Sequence, residues 1–223
     1  MDISEAIKER HSVRSYVDKE IEKETVQTLQ ETINECNQES GLNIQLCLNE
    51  PTAFTGMMVK YGKFKNVKNY LALVGKKEDN LDEKCGYYGE KIVLKAQQLG
   101  LNTCWVGLTF SKRKGKEMIT VRPGEKLVLV IAIGYGETNG ISHKVKPIED
   151  LCRVSGEMPE WFRNGMEAAQ LAPTAMNQQK FCFELENNKV KATAGLGFFS
   201  KVDLGIAKYH FEEGAGTKDW EWA

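Results

Sequence analysis

The chain has 223 residues, of which 41% are hydrophobic and 27% are charged, so it can form a full globular core and is not compositionally disordered. Thirty basic residues against thirty-one acidic ones leave a formal net charge of -1, which gives no general attraction to nucleic acid. Six scattered cysteines without a C-x-x-C pair argue against a metal centre of the zinc type and against a dense disulfide framework. No run approaches about 18 apolar residues, so we expect no membrane partner and a cytoplasmic protein with reduced, mostly buried thiols.

The first helix is predicted from its capping signal. Asp2 and Glu5 have capping-box spacing, which predicts a helix of about two turns from Asp2 to Glu9. The later helices show amphipathic spacing, and several end at a glycine or a proline. They are predicted at 24–39, 87–101, 160–173 and 202–216.

Strands are predicted from apolar runs and from alternation of apolar and polar residues. They are expected at 43–49, 70–75, 103–107 (a short strand or a turn) and 126–136. The last of these is a long apolar run, which is typical of a central strand. In KFCFELENNKVKATAG, apolar positions alternate on both sides of Asn187-Asn188, so this stretch predicts a hairpin with a two-residue turn that needs positive φ.

The last third of the chain partly repeats the earlier pattern. Gly205 and Gly216 are spaced like Gly89 and Gly100, although one such coincidence does not establish a duplication. No linker or low-complexity segment lies near residue 150. We therefore predict a single unit over 1–223. Its pseudo-repeat halves are expected at about 1–150 and 151–223.

A cluster of cationic and hydroxyl side chains, RHSVRSY, follows the first helix. In an extended backbone, Arg10, Ser12 and Arg14 would share one side, because side chains alternate with period two. Two guanidiniums flanking a hydroxyl supply charge-assisted donors that suit a phosphate. The alternative is a solvated surface turn with ion pairs to Glu9 or Asp18.

Four segments together resemble the FMN-dependent nitroreductase family. RHSVRSY resembles its opening R-x-S-x-R-x-F/Y, and AQQLGLNTCWVG resembles A-x-x-L-G-L-x-T-C-W-I-G. EKLVLVIAIGYGE followed by HKVKP resembles its closing strand with a basic tail, and LAPTAMNQQKF resembles A-P-S-A-x-N-x-Q-P-W. The resemblance implies an α+β fold of the nitroreductase type, a three-layer sandwich with a central mixed or antiparallel sheet flanked by helices.

The order of these motifs departs from the family pattern. In ordinary members the A-P-S-A-x-N segment follows the opening motif by a few tens of residues, whereas here APTAMN occurs only after residue 170. Ordinary members are homodimers whose flavin lies in the interface. A single chain that carries the second motif on a partial repeat could complete the site by itself, which implies an internal pseudo-dimer that could act as a monomer. The rearranged order is similar to that of a small subgroup of the family.

The resemblance implies FMN-binding roles for eleven positions. They are Arg10, His11, Ser12, Arg14, Gly107, Lys144, Lys146, Pro173, Thr174, Ala175 and Asn177. Arg10, Ser12 and the two lysines match contacts to the phosphate and ribityl chain. His11 and Arg14 match positions near the ribityl chain and the pyrimidine edge. The remaining loop residues match contacts to the phosphate side or the ring's polar edge, and the backbone N–H of Gly107 matches one that points toward N5 of the ring.

The resemblance also implies an enzyme: an oxidoreductase in which NAD(P)H reduces FMN and a small-molecule acceptor, such as a nitroaromatic or a quinone, reoxidises it in ping-pong order. No dedicated catalytic acid or base is implied. The alternatives are a non-catalytic flavin-binding or flavin-storage protein, and a scaffold that has lost flavin.

Other reactive residue types have simpler interpretations. Cys104 and Trp105 are predicted to be core residues rather than redox or stacking groups, because nothing nearby suits a lowered thiol pKa. His210 could line a cavity, but a histidine satisfied within its helix packing is favoured. His143 is predicted to lie in a surface loop.

Overall fold

The computed structural model describes residues 1–216 and 220–223. Its helices are α1 (Ile3–Glu9), α2 (Lys23–Ser40), α3 (Met57–Tyr61), α4 (Leu81–Gln98), α5 (Lys112–Glu117), α6 (Glu160–Ala169) and α7 (Ser200–Ala215). Its strands are β1 (Gln45–Cys47), β2 (Asn69–Lys76), β3 (Asn102–Val106), β4 (Glu125–Gly134), β5 (Cys152–Val154), β6 (Phe181–Glu186), β7 (Lys189–Ala194) and β8 (Glu221–Trp222).

The chain forms two compact units that are not consecutive in sequence. We call one the arginine unit, which contains Glu9–Leu81 and Lys91–Ser142. The other, the loop unit, contains Met1–Lys8, Asp82–Glu90 and His143–Ala223. Each unit has its own sheet, and α4 runs from the loop unit into the arginine unit.

The sheet of the arginine unit is antiparallel, with strand order β1-β2-β4-β3. β4 pairs with both β2 and β3, which confirms the predicted central strand. Its residues are buried from Leu127 to Gly134, as expected for a strand covered on both faces. Helix α2 buries Leu29, Ile33 and Cys36, which recur at helical spacing, and is capped by Gly41 with φ 73°.

The sheet of the loop unit is mixed, with order β5-β6-β7-β8. The predicted hairpin is confirmed: β6 and β7 are antiparallel, and Asn187 has φ 55° in the turn. Helices α6 and α7 bury a cluster of aromatic rings, in which Phe211 lies 5.4 Å from Phe162 and 4.8 Å from Phe183 between ring centroids. This cluster is the core of the unit.

The sequence predicted which helices and strands form more accurately than it predicted their first and last residues. Helix α4 begins at Leu81, not at residue 87, because Leu81 is buried and two acidic residues in the first turn stabilise the helix N-terminus. Helix α6 ends at Ala169 rather than at Pro173, since the chain continues in tighter turns in which Leu171 and Ala172 donate to carbonyls three residues back. The short elements α3, α5, β5 and β8 were not predicted.

The structure confirms the α+β class, since both units combine helices with a sheet. In residues 1–216 and 220–223, no helix has the length and apolar character needed to cross a membrane.

Candidate functional site

The opening arginine segment lies in the arginine unit and is extended, as predicted. Ser12 forms a parallel bridge with Thr103, and the N–H of Val13 donates to the Thr103 carbonyl at 3.0 Å. Tyr16 pairs antiparallel with Gly136, just beyond β4. The segment is therefore fixed by backbone pairing to β3, the edge strand of this sheet, and to the chain just beyond β4.

The two arginines of the segment differ in depth. Arg10 is 2% exposed, whereas Arg14 is exposed and its guanidinium carbon lies 5.9 Å from the Phe64 ring centroid. Asp18 pairs with Lys68. A solvated surface turn does not describe the buried Arg10, although it fits the exposed Arg14.

Cys104 interacts with the side chains that the period-two pattern placed together. Burial raises the pKa of the Cys104 thiol, while the guanidiniums of Arg14 and Arg10 and a hydrogen bond with Ser12 lower it. Arg10, Ser12 and Arg14 thus share one neighbour. The thiol is 2% exposed within the hydrophobic core, which confirms Cys104 as a core residue.

Glycines bring the backbone after β4 close to this segment. A Cβ atom on Gly140, whose φ is 76°, would lie 2.8 Å from the Cβ of His11. Gly136 donates its N–H to Asn102 Oδ1 at 2.9 Å, and a Cβ there would lie 2.9 Å from Val13. The backbone therefore approaches the segment more closely than other residues would allow. Gly107 is half-buried and directly follows β3.

In the loop unit, the basic tail contacts the segment that contains APTAMN. Asn177 donates from Nδ2 to the carbonyl of Lys144 at 2.8 Å, and Gln179 donates to the same carbonyl at 2.9 Å. Lys146 donates its backbone N–H to Gln179 Oε1 at 2.8 Å and its Nζ to the Gln179 carbonyl at 3.1 Å. The structure thus brings together the two lysines and Asn177, which were identified from separate motifs.

Residues 173–179, which we call the APT loop, have an unusual backbone. Met176, Asn177 and Gln179 have φ values of 52°, 53° and 45°, in the left-handed region that non-glycine residues rarely adopt. Pro173 is buried, and Thr174 accepts the N–H of Gln179 on its hydroxyl at 3.0 Å. Hydrogen bonds to its own side chains therefore hold this loop in a costly conformation.

Two residues of this region were missed from the sequence. Gln179 is 3% exposed and joins the APT loop to the lysines, and it stands directly after the recognised motif in NQQKF. Asp203 on α7 accepts the Ala175 N–H at 2.9 Å, but it lies 28 positions away and no local pattern marks it.

The remaining histidines lie in the loop unit. His210 is fully buried, with Nε2 2.9 Å from Glu90 Oε1 and Nδ1 3.0 Å from the Ala168 carbonyl. The favoured interpretation, a histidine satisfied by its packing, is confirmed. His143 lies in a loop, half-buried, with Nε2 3.4 Å from the Gln170 carbonyl.

Comparison with known proteins places the chain in a family. The family described as "Putative TM nitroreductase" matches residues 2–215. No curated protein matches the chain.

Solved structures share the fold at low sequence identity. A "putative nitroreductase" of Thermotoga maritima superposes with a TM-score of 0.67 at 21% identity, covering 95% of this chain and 82% of that one. A "putative nitroreductase in complex with FMN" from Desulfovibrio desulfuricans has a TM-score of 0.55 at 17% identity, covering 71% of this chain and 99% of that one. An "FMN-dependent nitroreductase" of Clostridium difficile has a TM-score of 0.50 at 20% identity, covering 66% of this chain and 92% of that one.

These structures confirm the predicted nitroreductase-like fold. Because the family match extends over nearly the whole sequence, the chain belongs to the "Putative TM nitroreductase" family.

Proposed function

We propose that the protein is an FMN-dependent NAD(P)H oxidoreductase that reduces nitroaromatic, quinone or related small acceptors in ping-pong order. Its family membership supports this reaction class. The flavin is supported by relatives described as an FMN complex and as FMN-dependent. The observation that carries the proposal is the buried Arg10 in a segment that also presents Ser12 and Arg14.

The donor set of the opening segment fits a flavin phosphate. A phosphate monoester carries nearly two negative charges near neutral pH, and guanidinium groups bind it through paired, charge-assisted hydrogen bonds. Arg10 brings a buried guanidinium to this donor set, and a phosphate beside it would make charge-assisted contacts. Ser12 would add a hydroxyl donor, and Arg14 and His11 would act nearer the ribityl chain and the pyrimidine edge.

The APT loop offers polar groups that also suit a flavin. Thr174 and Asn177 are half-buried and carry a hydroxyl and a carboxamide, which suit the phosphate side or the polar edge of the ring. Lys144 is exposed and would reach the phosphate, whereas Lys146 already donates to Gln179 and would mainly support the loop.

FMN, when bound, would supply the hydride chemistry between NAD(P)H and the acceptor. The chain's own residues would bind the phosphate through Arg10 and Ser12 and orient the ring through the APT loop. Arg14 would place a positive charge beside the pyrimidine edge, and the backbone N–H of Gly107 would meet N5. Pro173 and Ala175 would shape the loop. None of these proposed roles is that of a general acid or base.

The absorption spectrum of the purified protein tests this function. We expect a yellow protein with bound FMN that NAD(P)H bleaches under anaerobic conditions and that a quinone or nitroaromatic restores. A yellow protein that NAD(P)H does not bleach would indicate a flavin-binding or flavin-storage protein. A colourless protein that also rejects added FMN would indicate a scaffold.

Replacement of Arg10 tests the phosphate contact. Arg10→Ala should weaken FMN binding by about tenfold to a hundredfold, because it removes a charge-assisted contact, while riboflavin, which lacks the phosphate, should lose less. Flavin fluorescence titration measures both constants. Arg113→Ala, which removes an arginine whose side chain is 79% exposed, is the matched control and should bind FMN normally. Unchanged FMN affinity in Arg10→Ala would contradict the assignment.

A reciprocal helix contact supports an internal pseudo-dimer, which we also propose. In the loop unit, a Cβ on Gly86 of α4 would overlap the carbonyl oxygen of Val202 and lie 3.0 Å from the nitrogen of Ile206 on α7. A Cβ on Gly205 would overlap the carbonyl oxygen of Glu83 and lie 2.7 Å from the nitrogen of Tyr87.

Each glycine therefore faces the carbonyl three residues before the other glycine and the nitrogen one residue after it. Such an exchange of equivalent contacts is consistent with a two-fold relation between two elements. Here it relates two helices of one chain, Leu81–Gln98 and Ser200–Ala215.

Mixing of two defective variants tests whether one chain supplies both motifs to its FMN. Arg10→Ala and Asn177→Ala should each bind FMN weakly, and their mixture should stay weak, because every chain carries one lesion. A site shared between exchanging subunits would instead regain intact sites. Recovery of tight binding, with exchange demonstrated by native mass spectrometry, would contradict the pseudo-dimer.

A further inference from the structure

The residues on either side of the left-handed pair in the APT loop share one hydrogen-bonding partner outside the loop. Asp203, in the first turn of α7, is 3% exposed and accepts the Ala175 N–H on Oδ1 at 2.9 Å. Its Oδ2 accepts from Gln178 Nε2 at 2.6 Å. The carboxylate therefore bonds to the residue before and the residue after the left-handed pair Met176–Asn177.

Gln178 connects this anchor to a second segment. Its Nε2 also donates to the Phe198 carbonyl at 2.9 Å, so both amide hydrogens are engaged. The Gln178 Oε1 lies where a Cβ on Gly197 would fall, so the glycine there leaves space for the amide. The orientation of Gln178 is thus fixed from two sides, and an acceptor is required at Asp203.

The charge state of Asp203 decides whether it can accept both donors. Burial raises the pKa of this carboxyl to about 6, while hydrogen bonds from Gln178 and Ala175 lower it. Across the described parts of the chain, 1–216 and 220–223, no charged side chain adds to these influences.

Because its pKa in the folded state lies above the ordinary value of 3.8, the group contributes stability that is full below about pH 4 and is lost as the pH rises through about 6. Folding by itself favours the neutral acid. Near neutral pH the carboxyl is ionised, and its charge lowers the stability of the folded state. The groups that bond to this charge are Ala175 and Gln178 of the APT loop.

We propose that Asp203 is a positioning residue, whose carboxylate holds the APT loop in the left-handed conformation that presents Thr174 and Asn177 to the flavin. This inference rests on the proposed function. Asp203 itself contacts the loop and acts through it.

Asp203→Asn and Gln178→Met test the anchor by flavin binding. In Asp203→Asn the amide oxygen can still accept from Ala175, but the amide NH2 faces the NH2 of Gln178, so two donors oppose each other. Gln178→Met removes the Gln178 amide and leaves the Asp203 carboxylate in place. Riboflavin is the probe, because the phosphate of FMN itself titrates at about pH 6. We expect wild-type affinity to fall about tenfold from about pH 7.5 to about pH 5, with a midpoint near 6. Asp203→Asn should bind weakly at both values, and the exposed-residue control Glu186→Gln should match the wild type.

Hydrogen–deuterium exchange tests the anchor without flavin. The N–H groups of Asn177, Gln178 and Gln179 donate within the APT loop, so their exchange reports its conformation. In both variants these amides should exchange at least about tenfold faster at neutral pH, while amides of β6 and β7 keep their rates and show that the hairpin stays folded.

The outcomes separate this inference from the proposed function. Wild-type flavin affinity and pH profile in both variants, or unchanged exchange in the APT loop, would overturn the role of Asp203 and leave the proposed function standing. A wild-type protein that binds neither riboflavin nor FMN would overturn the proposed function, and the role of Asp203 toward flavin with it.

Discussion

Replacing either Gly86 or Gly205 by alanine is expected to lower the free energy of unfolding by about 3 kcal/mol or more. A single methyl group at either position would overlap a backbone carbonyl of the facing helix, that of Val202 or Glu83. Backbone atoms within a helix cannot rotate away as a side chain can, so α4 and α7 would have to separate. Urea denaturation measures the loss.

The reciprocal geometry gives this prediction a second part. Both substitutions are relieved by the same separation of α4 and α7, so the double variant should lose clearly less than the sum of the two single losses. Gly115→Ala is the control, since it lies within α5 with its nearest neighbour at an ordinary 3.6 Å. That change should be neutral or slightly stabilising. Normal stability of Gly86→Ala would show that the close crossing is wrong.

His210→Ala is expected to destabilise the protein by about 3–5 kcal/mol. The side chains of His210 and Glu90 are both 0% exposed. A carbonyl oxygen only accepts hydrogen bonds, so His210 Nδ1 carries a proton and donates it to Ala168. On the other side of the ring, Nε2 forms a hydrogen bond with the Glu90 carboxyl. Removing the imidazole leaves a cavity and takes away a partner of a buried acid.

Two companion variants identify the cause of that loss. Glu90→Gln keeps a hydrogen-bonding group of the same size and should lose only about 1 kcal/mol. His143→Ala removes a histidine from a loop and should lose about as little. Chemical denaturation of the three variants, followed by tryptophan fluorescence, ranks them. Equal stability of His210→Ala and His143→Ala would contradict a stabilising role for the pair.

Signals that act over a few residues predicted their structures well. The capping box is present, with Glu5 donating its N–H to Asp2 at 2.8 Å and Asp2 donating to Glu5 at 3.1 Å. Gly100 has φ 78° at the end of its helix, and Asn187 has φ 55° in its turn. In each case the residue itself sets the local backbone preference, so no distant partner is needed.

Features that depend on distant partners were not predictable in the same way. Strands β5 and β8 are three and two residues long, and each exists because a neighbouring strand pairs with it in parallel. Asp203 contributes to the candidate site only because α7 brings it to Ala175.

The opening segment illustrates the same limit for burial. Alternation predicted the common side of Arg10, Ser12 and Arg14, and Cys104 interacts with all three. Alternation did not predict that Arg10 is buried and Arg14 exposed, because period two gives the direction of a side chain and not its depth.

The glycine spacing compared Gly89 with Gly205 as positions in a possible repeat and made no statement about contacts. In the structure, Gly205 faces α4 at Glu83 and Tyr87, on either side of Gly86. Such a contact depends on how two helices pack, which the sequence does not display.

The composition of the loop unit has a consequence for how the nascent chain folds on the ribosome. The unit combines Met1–Lys8 and Asp82–Glu90 with His143–Ala223, so its first two segments meet their partners only after 143–223 have been synthesised. The arginine unit ends at Ser142 and can form first. Until 143–223 have been synthesised, α1 and the first half of α4 lack the strands and helices of their own unit, and their apolar faces are open to chaperones or to aggregation.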